Sequence, residues 1–82
     1  MIGNNNIFWS SNHIGHHSII SDNCFFSSHV VISGAVKIEA NNFFGVNSTV
    51  RDNITIGNKC VIGANSLILK NLPDYSIVKN KA

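Results

Sequence analysis

An apolar residue returns at every sixth position from Ile2 to Ile68. The series is Ile2, Phe8, Ile14, Ile20, Phe26, Ile32, Ile38, Phe44, Val50, Ile56, Ile62 and Ile68, without a miss. No α-helix has that period, because helical faces repeat every three to four residues. Ordinary antiparallel sheets repeat every two residues, with turns of varying length. An unbroken six-residue frame is the mark of a parallel β-helix, in which each hexapeptide supplies one short strand and one corner. Small residues often follow the anchor, as at Gly3, Gly15, Ser21, Ser27, Ser33, Gly45, Gly57 and Gly63. Small or branched residues stand four places after it, as at Ser18, Cys24, Val30, Val36, Ser48, Ile54, Cys60 and Ser66.

A longer period lies inside the first. Phe8, Phe26 and Phe44 are separated by eighteen residues each time. Three hexapeptides therefore make one coil, and the phenylalanines are expected to stack as an interior ladder. The other interior columns are Ile2/Ile20/Ile38/Ile56 and Ile14/Ile32/Val50/Ile68. The fold expected is all-β: about four 18-residue coils over residues 1–73, followed by a C-terminal tail over 74–82. At about 4.8 Å per coil the prism is roughly 19 Å tall. The column three places after each anchor reads Asn5, Ser11, His17, Asn23, His29, Ala35, Asn41, Asn47, Asn53, Lys59, Asn65 and Asn71. Asparagine and histidine tolerate the left-handed backbone region better than most residues, so this column supplies the corners.

Composition narrows the partners. Charged residues are only 12% of the chain and the formal net charge is +2, with no basic run. That pattern gives no footprint for nucleic acid. No apolar stretch is long enough to span a bilayer, and the N-terminus lacks the regions of a signal peptide. Cys24 and Cys60 share one hexapeptide position two coils apart, about 9.5 Å, which is beyond disulfide reach. They are expected to be reduced core residues, which favours the cytoplasm.

The stretches "GHHSIISDNCFFSSHVVISGAVKIE", "FFGVNSTVRDNITIGNKCVIGANSLILK" and "LPDYSIV" resemble the C-terminal domain of the left-handed β-helix acyltransferases. The likeness is to bacterial sialic acid O-acetyltransferases and nucleotide-sugar N-acetyltransferases. It implies a left-handed prism, a homotrimer, acetyl-CoA as cosubstrate and a sugar or nucleotide-sugar acceptor. No metal and no membrane insertion are implied. Such proteins usually carry an N-terminal nucleotide-sugar domain. Here residue 2 already lies in the repeat frame, so the chain reads as opening mid-prism.

The same resemblance assigns roles. His16 matches the base that takes the acceptor's proton, work to which histidine is suited near neutral pH. The Gly34 backbone N–H matches the donor that stabilises the thioester oxyanion. The eighteen-residue spacing independently stacks Gly34 one coil above His16. His17 stands where the N-acetyltransferases have the acid that orients the base, and as a corner residue it is equally a turn former. Asp22 and Asp52 are further candidates for orienting the base, and Asp52, in the His16 column, for meeting substrate. Phe25 replaces a cofactor-touching histidine and is expected against the pantetheine arm. Val46 and Ala64 match positions whose backbones bond the pantetheine amides. Lys70 and Lys59 fall towards the adenosine-phosphate end. His13 faces outward from a strand and His29 is a corner residue.

Two other classes fit the prism. γ-Class carbonic anhydrases share the fold, but they pair two zinc-binding histidines with four residues between, and that pairing does not occur in this chain. A non-catalytic β-helix with a structural or oligomerising role is the other class.

Overall fold

A computed structural model describes residues 1–79. Twelve two-residue strands follow one another: β1 Ile7–Phe8, β2 His13–Ile14, β3 Ile19–Ile20, β4 Phe25–Phe26, β5 Val31–Ile32, β6 Lys37–Ile38, β7 Phe43–Phe44, β8 Thr49–Val50, β9 Thr55–Ile56, β10 Val61–Ile62, β11 Leu67–Ile68 and β12 Ile77–Val78. All pairings are parallel and join every third strand, except that β12 pairs with β10. They give a first sheet β1-β4-β7-β10-β12, a second β2-β5-β8-β11 and a third β3-β6-β9. The register is eighteen residues, as in Phe8↔Phe26, Ile14↔Ile32 and Ile20↔Ile38. The chain is thus the four-coil parallel β-solenoid that the hexapeptide frame dictates.

The anchors from Ile20 to Ile68 are buried, Phe8 and Ile14 are partly buried, and Ile2 at the open first coil is exposed. Phe26, Phe44, Ile32, Val50, Ile38, Ile56 and Ile62 have no solvent-exposed surface. The phenylalanine ladder forms as expected, with Phe8–Phe26 and Phe26–Phe44 ring centroids both 4.7 Å apart and the rings nearly parallel. That separation equals the strand spacing, so backbone pairing sets the stacking distance. Cys24 and Cys60 are buried and free. Burial pushes the Cys24 thiol above its ordinary value, against backbone hydrogen bonding at Asn42 and Asn41 that lowers it.

The corners are left-handed at Asn5, Ser11, His17, Asn23, His29, Ala35, Asn41, Asn47, Asn53, Lys59 and Asn65, with φ between 55° and 64°. Asn71 departs from the expected column, and Tyr75 (φ 65°) takes the last left-handed corner. The cause is a shortened coil. Leu72 pairs with Ile56, and β12 pairs with β10 as Val61↔Ile77 and Ile62↔Val78. These are offsets of sixteen residues, so the frame restarts at Leu72, four places after Ile68. Pro73 holds Leu72 extended, and the Asn71 side chain instead accepts a hydrogen bond from the Thr55 N–H at 2.8 Å. Residues 77 and 78 of the segment expected as a tail thus add a fifth strand to the first sheet. Residues 80–82 lie outside the described residues.

Asparagines also bind one coil to the next, a role the column of small and branched residues does not reveal. Asn42, 2% exposed, donates through Nδ2 to the carbonyls of Glu39 and Gly57, both at 2.9 Å, and accepts from the Cys60 N–H at 2.6 Å. Asn6 and Asn12 accept likewise from the N–H groups of Cys24 and Val30. Asn42→Ala leaves the buried Gly57 carbonyl and Cys60 N–H without their Asn42 partner, while the Glu39 carbonyl keeps the Cys24 thiol. Because an unsatisfied buried group costs about 1–3 kcal/mol, we expect a loss of about 3 kcal/mol or more in urea unfolding.

Candidate functional site

Three corner ladders run along the prism, and one of them differs from the other two in how its backbone N–H groups are used. Consider the residue two places after each anchor. On the ladder between the third and first sheets three of these N–H groups are capped by side chains of the coil above, while that of Asp22, beneath Ala40, is not. Asn4 N–H donates to Asp22 Oδ1 (2.6 Å), Ala40 N–H to Asn58 Oδ1 (2.9 Å) and Asn58 N–H to Asp74 Oδ1 (2.7 Å). The ladder between the second and third sheets holds His16, Gly34 and Asp52 at the equivalent places. Here, among the described residues, the N–H groups of His16 and Gly34 have no acceptor.

His16 and Gly34 are stacked as their spacing requires. The Ala35 N–H donates to the His16 carbonyl at 2.8 Å, and the Asn53 N–H to the Gly34 carbonyl at 3.0 Å. Asp52 therefore stands one coil above Gly34 and two above His16, and it is exposed. His17 is the left-handed corner residue beside His16. The two imidazoles are 6.4 Å apart between centroids and tilted by 50°. Among the described residues neither ring is hydrogen-bonded. Lys70 is exposed just beyond β11, at an open apolar hollow lined with Leu67, Ile68, Leu69, Leu72 and Val78.

Glycine at position 34 is not a packing requirement. A Cβ built on Gly15 would lie 2.5 Å from the Ser33 carbonyl carbon, and one on Gly45 2.6 Å from the Ala64 nitrogen. Gly57 is equally enclosed by the backbone of residues 73 and 74. A Cβ on Gly34 would meet only the His16 carbonyl oxygen, at an ordinary 3.4 Å, and no glycine in the chain has a positive φ. Gly34 instead leaves an unpaired N–H with open space above the His16 backbone.

The remaining candidates lie elsewhere. Val46 and Ala64 stack on the ladder between the first and second sheets, where the Asn65 N–H donates to the Val46 carbonyl at 2.8 Å. Phe25 lies on the outer face of the first sheet. It stacks on Phe43 at 5.3 Å and receives the edge of Trp9, also at 5.3 Å. The second sheet separates this group from His16 and Gly34, so a single chain does not bring the two groups together. The outer column of the first sheet is wholly apolar: Ile7, Phe25, Phe43, Val61 and Ile77. The frame places these residues in the sequence at the position before each anchor. The equivalent columns are broken by His13 and Thr49 on the second sheet and by Lys37 and Thr55 on the third.

The sequence model of the bacterial transferase hexapeptide family (six repeats) matches residues 35–70. Over these residues the chain resembles the hexapeptide-repeat family, and the coil geometry is that of a parallel β-solenoid. Similar proteins include the acyl-[acyl-carrier-protein]–UDP-N-acetylglucosamine O-acyltransferases of Aliarcobacter butzleri (30% identical over 82 residues) and Nautilia profundicola (28% over 78). The enzyme of the same name from Helicobacter pylori is 25% identical over 79 residues. These alignments cover 99%, 95% and 96% of the hexapeptide-repeat chain but only 32%, 30% and 29% of the relatives. The chain therefore spans about a third of their length. All three relatives are named for transfer from an acyl carrier protein to a sugar nucleotide, rather than for acetyl-CoA or sialic acid.

Proposed function

We propose that this hexapeptide-repeat chain supplies the acid–base half of an acyl-transfer site acting on a sugar or nucleotide-sugar acceptor. One observation carries the reading: Gly34, a glycine the packing does not need, stands directly above His16 with its N–H unpaired. His16 takes the proton from the acceptor hydroxyl or amine as its oxygen or nitrogen attacks the thioester carbonyl. The Gly34 N–H donates to the oxyanion of the tetrahedral intermediate. Collapse breaks the C–S bond, and the departing thiolate takes the proton from His16. Asp52 and His17 border the acceptor side of this corner.

The donor is an acyl thioester. Acetyl-CoA is the donor implied by the acetyltransferase resemblance, and an acyl carrier protein is the donor in the names of the similar enzymes. Phe25, Val46, Ala64 and Lys70 are proposed to hold the donor's arm. Because Phe25, Val46 and Ala64 lie beyond the second sheet from His16 within one chain, the complete site needs a second copy, which supports a homotrimer with the donor between neighbouring prisms. The apolar outer column of the first sheet suits such self-association. Two free buried cysteines suit a reducing cytoplasm. Incubation with UDP-N-acetylglucosamine and either acetyl-CoA or an acyl carrier protein tests the reading through thiol release. Release with one donor identifies it; release with neither refutes the proposal.

Self-association is tested separately. Phe43→Glu places a charge in the middle of the apolar column, on an exposed position that makes no core contact. Sedimentation is expected to show a trimer for the parent chain and a folded monomer for the variant. An unchanged mass would place the interface elsewhere.

A further inference from the structure

We propose that Asp52 is a reversible cap on the Gly34 N–H and so controls access to the oxyanion donor. The functional consequence rests on the reading of Gly34 given above; the cap itself does not. The basis is register. A side chain two places after its anchor accepts a hydrogen bond from the N–H of the equivalent residue one coil below, and it does so three times in this chain. Asp22 caps Asn4, Asn58 caps Ala40, and Asp74 caps Asn58. Asp52 stands in that same relation to Gly34. The backbone is matched as well, since the following corner residues have nearly identical φ: 61° at Asn23 after Asp22, and 60° at Asn53 after Asp52.

In this structure the Asp52 side chain is exposed and makes no hydrogen bond, and the Gly34 N–H is unpaired. A side-chain rotation separates this open state from the capped one. Two features single out this pair among the capping positions. The capped residue is a glycine, so no side chain shields its N–H from a ligand. The column below holds His16, so the N–H that Asp52 would occupy is the one beside the candidate base. The charged and titratable groups around Asp52 are Arg51 next to it, Lys70 beyond β11, and His16 and His17 below. Among the described residues none forms an ion pair with it. A thioester oxygen entering this corner must displace the carboxylate, and the carboxylate's charge opposes the developing oxyanion. Asp52 is thus a positioning residue that acts through the Gly34 amide.

Amide hydrogen exchange of Gly34, read by NMR, tests the cap without any assay of activity. Residue 52 is remote in sequence from Gly34, so its replacement leaves the intrinsic exchange rate unaltered. The capped Ala40 amide serves as the internal reference. Asp52→Ala is expected to speed Gly34 exchange severalfold and to shift its amide proton upfield, with Ala40 unchanged. Asp52→Asn is expected to keep the protection, as the asparagine at 58 does for Ala40. Equal Gly34 exchange and shift in the parent chain and Asp52→Ala would overturn the cap. Turnover supplies the second arm. Asp52→Ala is expected to raise kcat/KM severalfold and Asp52→Asn to lie between. If exchange reveals the cap while turnover is unmoved, the cap stands and the assignment of Gly34 as oxyanion donor falls.

Discussion

Gly15→Ala is expected to lower the melting temperature by more than about 10 °C, whereas Gly34→Ala leaves it unchanged or slightly raised. Both glycines sit on the ladder between the second and third sheets, one place apart in the hexapeptide and one coil apart along the axis. A Cβ at residue 15 would lie 2.5 Å from the Ser33 carbonyl carbon, 2.6 Å from its oxygen and 2.8 Å from the Gly34 nitrogen. All three are backbone atoms, held by the pairing of β2 with β5, so no side chain can move aside. The coils must part, and overpacking of this kind costs about 3 kcal/mol. A domain of this size has a total stability of roughly 4–12 kcal/mol, and each kcal/mol shifts its midpoint by about 4–8 °C. At residue 34 the only neighbour is at 3.4 Å and φ is not positive. Gly→Ala at such a site stabilises by about 0.4–1 kcal/mol, because it restricts the unfolded chain. Melts at one protein concentration check both, since an oligomer's midpoint depends on concentration. Gly34→Ala should nonetheless slow acyl transfer about tenfold or more, because its methyl crowds the approach to the N–H. A stable, fully active Gly34→Ala would remove the functional explanation for that glycine.

The interior of this fold is readable residue by residue because burial leaves little choice. Ile20, Ile38 and Ile56 had to be apolar, and the eighteen-residue interval between phenylalanines announced the coil. The corners are readable for a different reason: a left-handed backbone selects asparagine. That same rule misleads at Asn71. Its identity fits the column, but the two-residue contraction before Leu72 moves the corner to Tyr75, and only pairing with β9 and β10 reveals it. Asn42 was obscured in the opposite sense, since an asparagine in an interior column has no meaning until the backbone groups it bonds are known. The candidate site divides along the same line. Spacing alone stacks Gly34 on His16. That Gly34 is dispensable for packing, and that Phe25, Val46 and Ala64 lie beyond the second sheet, depends on distances between coils that a one-dimensional frame does not contain.

His16→Ala is expected to reduce acyl transfer by about 10²–10⁴-fold, the usual contribution of a positioned acid–base group, with little change in stability. The imidazole lies on a corner and, among the described residues, makes no hydrogen bond, so nothing in the prism depends on it. Its backbone carbonyl, which accepts from the Ala35 N–H at 2.8 Å, survives the substitution, as does the ladder. The loss should fall on kcat rather than KM, because proton removal matters in the transition state and not in donor binding. His17→Ala provides the contrast. His17 occupies a left-handed corner at φ 60°, and alanine is tolerated in that region at Ala35, so its fold survives as well. With the rings 6.4 Å apart and tilted, His17 does not hold His16 by a hydrogen bond, and its loss should reduce turnover far less. Equal losses at the two positions would mean that the histidines act as a unit. Full activity of His16→Ala in a chain that turns over its thioester donor would move the base away from this corner altogether.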